Sequence, residues 1–176
     1  MEKISKDKIL PFTLTIAVIL ADQISKILVV RMIPPYTIGA QFFGDFLRII
    51  HVYNPGVAFS VGANFSETAR RFLFAFMPVI VIAMVVGVYF RNNEFSKLQR
   101  WAIAGLIGGG IGNLIDRFFR AEGVVDFIDV KFYGIFGLAR WPTFNVADSA
   151  VVVCGILLVI SFIITSVKNK SPETNS

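Results

Sequence analysis

Residues 105–117 read Gly105-Leu-Ile-Gly108-Gly109-Gly110-Ile-Gly112-Asn113-Leu-Ile-Asp116-Arg117. The run is apolar enough for a membrane interior, yet it holds five glycines and three polar groups. Five glycines would weaken an isolated helix in water. In a bilayer, the overlapping pairs Gly105/Gly109 and Gly108/Gly112 let neighbouring helices approach at backbone distance, so packing alone accounts for them. Asn113, Asp116 and Arg117 follow at i, i+3 and i+4, on one helical face. An Asp beside an Arg is often only an ion pair, but adding Asn113 at membrane depth points to a polar pocket.

Working outward, the whole 176-residue chain is 55% hydrophobic and 16% charged, with a mean hydropathy of +0.69. A soluble domain is normally about a quarter charged. Four stretches approach the roughly 20 apolar residues a bilayer crossing needs: 11–30, 72–90, 101–119 and 146–167. The expectation is an all-α integral membrane protein: a single domain, 1–176, of four transmembrane helices, with tails 1–10 and 168–176. The spans differ in polar content, so no transporter-like internal repeat stands out. Lys3, Lys6 and Lys8, then Arg91, Lys97 and Arg100, then Lys168 and Lys170 mark three short basic segments. By the positive-inside bias these share the cytoplasmic side, with both termini inside. The N-terminal apolar run is too long for a signal peptide and contains Asp22, Gln23 and Lys26, so it reads as a retained helix.

Outside the spans, 46–53 and 57–61 read as strand-like pieces around a turn at Asn54-Pro55-Gly56, and 124–130 is rich in β-branched and aromatic residues. These predict a small extracytoplasmic β-structured patch between helices one and two and near the outer end of helix three. A net charge of +5 without a basic run or a repeated aromatic/basic pattern excludes nucleic acid as a partner. One cysteine, Cys154, and one histidine, His51, exclude an internal disulfide, a Cys-rich zinc site and His-Glu-x-x-His chemistry. Cys154 reads as a packing residue and His51 as an interfacial strand residue without a role.

Carboxylates remain. Asp22 and Lys26, four apart in span one, stack on one face, either as a neutralising pair or as a brace for a site near the outer end of the helix. Asp148 suits the first turn of span four, with Asn145 as its N-cap; Asp126 and Asp129 could be solvated loop acids. If Asp126 and Asp148 instead converge, they hold one shared proton. The ionised member then activates water while the protonated member polarises a carbonyl, with no metal, cofactor or histidine.

Five motifs, Asp22-Gln-Ile-Ser-Lys26, Asn54-Pro-Gly-Val-Ala-Phe-Ser60, Gly109-Gly-Ile-Gly-Asn-Leu-Ile-Asp-Arg117, Val124-Val-Asp-Phe-Ile-Asp129 and Phe144-Asn-Val-Ala-Asp-Ser149, resemble, in order, those of the bacterial lipoprotein signal peptidase (signal peptidase II) family. The resemblance implies a four-helix aspartic endopeptidase of the cytoplasmic (inner) membrane with its site at the extracytoplasmic face. Its substrates would be prolipoproteins carrying diacylglycerol, cut N-terminal to the lipidated cysteine. The dyad falls on Asp126 and Asp148; Asn54, Gly56, Asn113, Asp116, Arg117, Asn145 and Ala147 line or organise the site; Asp22 and Lys26 support it. The partners implied are the lipid-modified substrate, membrane lipids and a globomycin-type inhibitor, with the enzyme a monomer. On this reading Arg117 and Asn54 donate to carbonyls of an extended substrate. The rival reading is a non-enzymatic small channel or transporter with an acidic polar pathway; a third is a lipid-binding assembly factor.

Overall fold

A computed structural model of the chain describes residues 5–55 and 67–170. Its elements run α1 (Lys6–Ile9), α2 (Phe12–Met32), β1 (Ile38–Phe42), β2 (Leu47–Asn54), α3 (Glu67–Arg91), α4 (Lys97–Phe119), β3 (Val124–Val130) and α5 (Val146–Lys170). Each long helix matches an expected span to within about two turns. α1 lies in a segment expected to be a plain tail; the Ser5 hydroxyl opens it by accepting the Asp7 N–H. A capping box starts α4: the Ser96 hydroxyl accepts the Gln99 N–H and the Gln99 side chain accepts the Ser96 N–H, satisfying two donors that a helix start leaves open.

α4 is the central helix, packed on α5, α2 and α3. Its glycines are the contact points. A Cβ on Gly108 would lie 3.0 Å from the Thr15 carbonyl of α2, and one on Gly109 would strike the Ala147 carbonyl of α5. Thr15 also donates to the Ala104 carbonyl at 2.7 Å, a buried bond between α2 and α4. Cys154 packs over Gly105, as a structural thiol.

The outer helices turn large apolar side chains outward, including Ile16, Leu20 and Ile24 on α2, Ile80 and Met84 on α3, and Val152, Ile156, Val159 and Ile163 on α5. Among the described residues, Lys6–Met32 (mean hydropathy 1.8) and Val146–Lys168 (2.8) are long and apolar enough to cross a membrane. Only 11% of the α5 window is buried, unlike the core helix of a soluble protein, and an apolar surface this extended calls for lipid. α4 is not in that pair because glycine and polar residues dilute its apolar content.

The strands form one antiparallel sheet in the order β1-β2-β3. It sits on the C-terminal end of α2 and the start of α5 through Val29, Val125 and Phe127, with Ile33, Ile49 and Val146 against them. β2 and β3 lie where strand character is expected. β1 is not anticipated, because Ile-Gly-Ala-Gln-Phe has weak strand propensity and pairing with β2 decides it. The expected piece 57–61 lies outside the described residues. His51 departs from expectation: it is fully buried, its Nδ1 is 2.7 Å from the Ile33 carbonyl and its ring centroid is 4.7 Å from that of Tyr53, so it ties β2 to the end of α2.

Candidate active site

Two pairings bring distant segments together at one end of the bundle. In the sheet register, Asn54 faces Val124 and Val52 faces Asp126, so Asn54 and Asp126 are diagonal neighbours within side-chain reach. On the other side of β3, the Ile128 N–H donates to the Phe144 carbonyl at 2.8 Å and the Phe144 N–H returns to Ile128 at 3.0 Å. That bridge clamps the segment entering α5 beside Asp126.

Asn145 then caps α5. Its side-chain oxygen accepts the Asp148 N–H at 2.9 Å, and Asp148 Oδ2 accepts the Asn145 N–H at 3.2 Å. The capping reading of Asp148 is therefore right, and it does not exclude a second use. Asp148 Oδ1 accepts the Asn113 amide at 2.7 Å. The Asn145 amide reaches across the site to Asp126 Oδ1 at 2.7 Å, and Asn54 donates to Asp126 Oδ2 at 3.0 Å. Two carboxylates from residues far apart in the chain thus share a cradle of three asparagines.

Asn113 has a defined orientation. Its oxygen accepts from Lys26 Nζ at 3.0 Å and from the Asn145 amide at 3.0 Å, which leaves its N–H groups to face Asp148. Lys26 is fully buried between Asp22 (2.8 Å) and Asp116 (2.9 Å), both also fully buried. Asp22 Oδ1 accepts the Ala147 N–H at 2.9 Å, and Asp116 Oδ2 accepts the Val125 N–H at 3.1 Å. The pair of span one is thus both a neutralising pair and a brace: it ties α2 to α4, to the first turn of α5 and to β3. Gly112 makes room, since a Cβ there would sit 2.8 Å from Asp22 Oδ2 and 3.1 Å from the Ala147 Cβ.

Asp126 is 3% exposed. Burial pushes its carboxyl up to about 6, and the nearby Asp148 charge pushes the same way, while the donors Asn54 and Asn145 and the Lys26 charge partly offset both. Asp129, on the opposite face of β3 by strand alternation, takes no part: Arg140 Nε holds it at 2.7 Å. It is a buried partner and not a solvated acid.

Of the expected site residues, Asn54, Asn113, Asp116, Asn145, Ala147, Asp126, Asp148, Asp22 and Lys26 belong to this one connected network; Gly56 lies outside the described residues. Arg117 does not pair with its neighbour Asp116, since adjacent helical residues point apart. Its Nε is buried without a hydrogen-bond partner among the described residues. Two members were missed. Gln23 donates to the Gly112 carbonyl at 3.0 Å and to Asp22 at 3.1 Å, and Arg120 holds Asp116 at 3.0 Å. An amide inside a span and the Asp116/Arg120 spacing of four were the available signals.

With this geometry in view, the family comparison is specific. The profile of the signal peptidase (SPase) II family matches residues 14–164. The lipoprotein signal peptidase of Treponema denticola is 52% identical over 165 residues, covering 94% of this chain and 95% of that protein. That of Treponema pallidum is 50% identical over 163 residues (93% and 88%), and that of Borrelia turicatae 51% over 154 residues (88% and 87%). Two solved structures described as bacterial membrane enzymes superpose with TM-scores of 0.77 (25% identity, 94% of both chains) and 0.72 (26% identity, 86% of this chain and 91% of that one). A membrane peptidase is the class these findings define. The chain belongs to the signal peptidase II family.

Proposed function

We propose that this peptidase hydrolyses the bond N-terminal to the diacylglyceryl-modified cysteine of prolipoproteins, with Asp126 and Asp148 as its catalytic dyad. One observation carries the reading: the three-asparagine cradle that orients the buried Asp126 carboxylate and the half-buried Asp148 carboxylate at one place. Asp126, whose burial favours the neutral form, holds the shared proton and donates it to the scissile carbonyl oxygen. Asp148 sits in the first turn of α5, where the helix dipole favours negative charge, and removes a proton from water. The resulting hydroxide adds to the carbonyl carbon. Asp148 then returns its proton to the departing nitrogen of the lipidated cysteine as the C–N bond breaks, and Asp126 recovers its own from the collapsing diol. Arg117 is the donor for a substrate carbonyl. Asn54, already donating to Asp126, orients the carboxylate instead.

The chain crosses the cytoplasmic membrane four times as a monomer, through 11–30, 72–90, 101–119 and 146–167, with both termini cytoplasmic and the dyad at the extracytoplasmic rim. Acyl chains of the substrate then remain in lipid while the peptide bond meets the aspartates, and a globomycin-type cyclic peptide competes for the same place. A channel is disfavoured, because the polar faces of α2 and α4 that would line a path are consumed in the buried contacts among Asp22, Lys26 and Asp116. The test is cleavage of a lipidated precursor in detergent, with and without globomycin. Asp126→Asn and Asp148→Asn should each lose at least about a thousandfold in kcat; near-normal turnover by either variant refutes the dyad.

A further inference from the structure

At the end of the bundle opposite the aspartates, α1, the C-terminus of α3 and the N-terminus of α4 enclose a recess of about 310 Å³ lined by Lys8, Lys97, Arg100, Asp7, Asn93 and Phe95. Along α4, Arg100 lies roughly 24 Å from Asp116, close to the thickness of a hydrocarbon core. Three cations face one carboxylate there.

Helix capping accounts for part of this charge. Lys8 Nζ donates to the Phe90 carbonyl at 2.7 Å and to the Asn93 side chain, and Arg100 Nη2 donates to the carbonyls of Asn92 and Asn93 at 3.4 and 3.3 Å. A helix C-terminus carries only about half a negative charge, too little to balance all three. Arg100 is 7% exposed; its guanidinium carbon stands 5.6 Å from the Tyr89 ring centroid, and its Nη1 has no hydrogen-bond partner among the described residues. Buried donors of this kind are normally satisfied. Lys97 lines the recess, is exposed, and its ammonium makes no hydrogen bond or ion pair among the described residues.

We propose that the recess holds the phosphate of an anionic membrane lipid. Lipid is favoured over a soluble anion because the residues beside these cations in sequence, Ile9, Leu10 and Leu98, are large, apolar and exposed, and Trp101 stands half-exposed one residue beyond Arg100. Cations beside apolar and aromatic side chains form the usual rim of a bilayer. A headgroup entering between α1 and α4 would bring its phosphate to Lys8, Lys97 and Arg100 while its tails follow the apolar outer faces. The assignment is independent of the dyad.

The test uses the full-length purified protein in mild detergent, titrated with phosphatidylglycerol, phosphatidylcholine or inorganic phosphate and followed by native mass spectrometry and thermal unfolding. The expected result is one retained phosphatidylglycerol per chain with a raised Tm, and little effect of phosphatidylcholine. Lys8→Gln with Lys97→Gln should weaken retention by on the order of tenfold or more, while cleavage of a lipidated precursor is unchanged. Should the double variant fail to fold, Lys97→Gln alone, at an exposed position, should still weaken retention severalfold. Equal retention of both lipids, undiminished retention by the variant that folds, or equal stabilisation by inorganic phosphate overturns the proposal.

Discussion

Asn113 illustrates how much one side chain decides. A buried lysine and a second asparagine occupy its oxygen, so the amide can present only donors to Asp148. Loss of a hydrogen bond to a charged group is worth about 1.5–3 kcal/mol. Asn113→Ala should therefore lower kcat roughly 10- to 100-fold with little change in KM, as steady-state kinetics on a lipidated precursor would reveal. Arg117→Ala should be more damaging than Arg117→Lys, and Lys should not fully restore activity because it lacks the planar fork; normal cleavage by the alanine variant removes Arg117 from the site. Asp126 makes a pH argument possible. Its carboxyl is raised to about 6 in the fold against a model-peptide value of about 3.9, so between these pH values the folded chain holds a proton that the unfolded chain has released. Stability from this group falls as pH rises from about 4 to about 6 and is level above that. Tm measured across that range should lose this component in Asp126→Asn. On the proposed mechanism Asp126 must carry a proton, which it loses above about 6 in the free enzyme, so kcat/KM should decline on that side of its profile.

At the scale of elements, α4 and α5 define the site by how closely they approach. Ala147, fully buried, lies against Gly109 and Gly112 while its N–H bonds Asp22. Gly112→Ala would place a methyl 2.8 Å from a buried carboxylate oxygen and push the first turn of α5 away from α4. A stability loss of about 1–3 kcal/mol is expected, read as a lower Tm in detergent, with activity falling further because Asp148 moves with that turn. The glycine pairs are legible in the sequence as packing surfaces, but which helix each one faces is not. Gly108 meets α2, Gly109 meets α5, and Gly112 meets both. A spacing rule reports the face of one helix and carries nothing about its neighbours.

At the scale of the molecule, exposed apolar faces on α2, α3 and α5 surround a central helix that is polar at both ends. One end carries the aspartates and the other the basic recess. The proposed orientation predicts that reporters fused to either terminus report from the cytoplasm, whereas a cysteine introduced at exposed Tyr133 reacts with a membrane-impermeant thiol reagent from outside. Labelling from the inside only would reverse the topology.

The helices, the β2 and β3 strands and the residues able to do acid–base chemistry were readable from the chain alone, because apolar run length, strand periodicity and the scarcity of histidine and cysteine are local or compositional properties. Membership of the network was partly readable through motif order. The motif order also implied a pairing of Asp126 with Asp148, but the contacts that bring their segments together, the Ile128–Phe144 bridge and the Asn145 cap, were not readable. Nor was the full burial of His51, the separation of Asp129 from the site or the partner each glycine serves. Those outcomes follow from contacts between segments distant in sequence, and the free energy of such contacts exists only once the chain has been brought together.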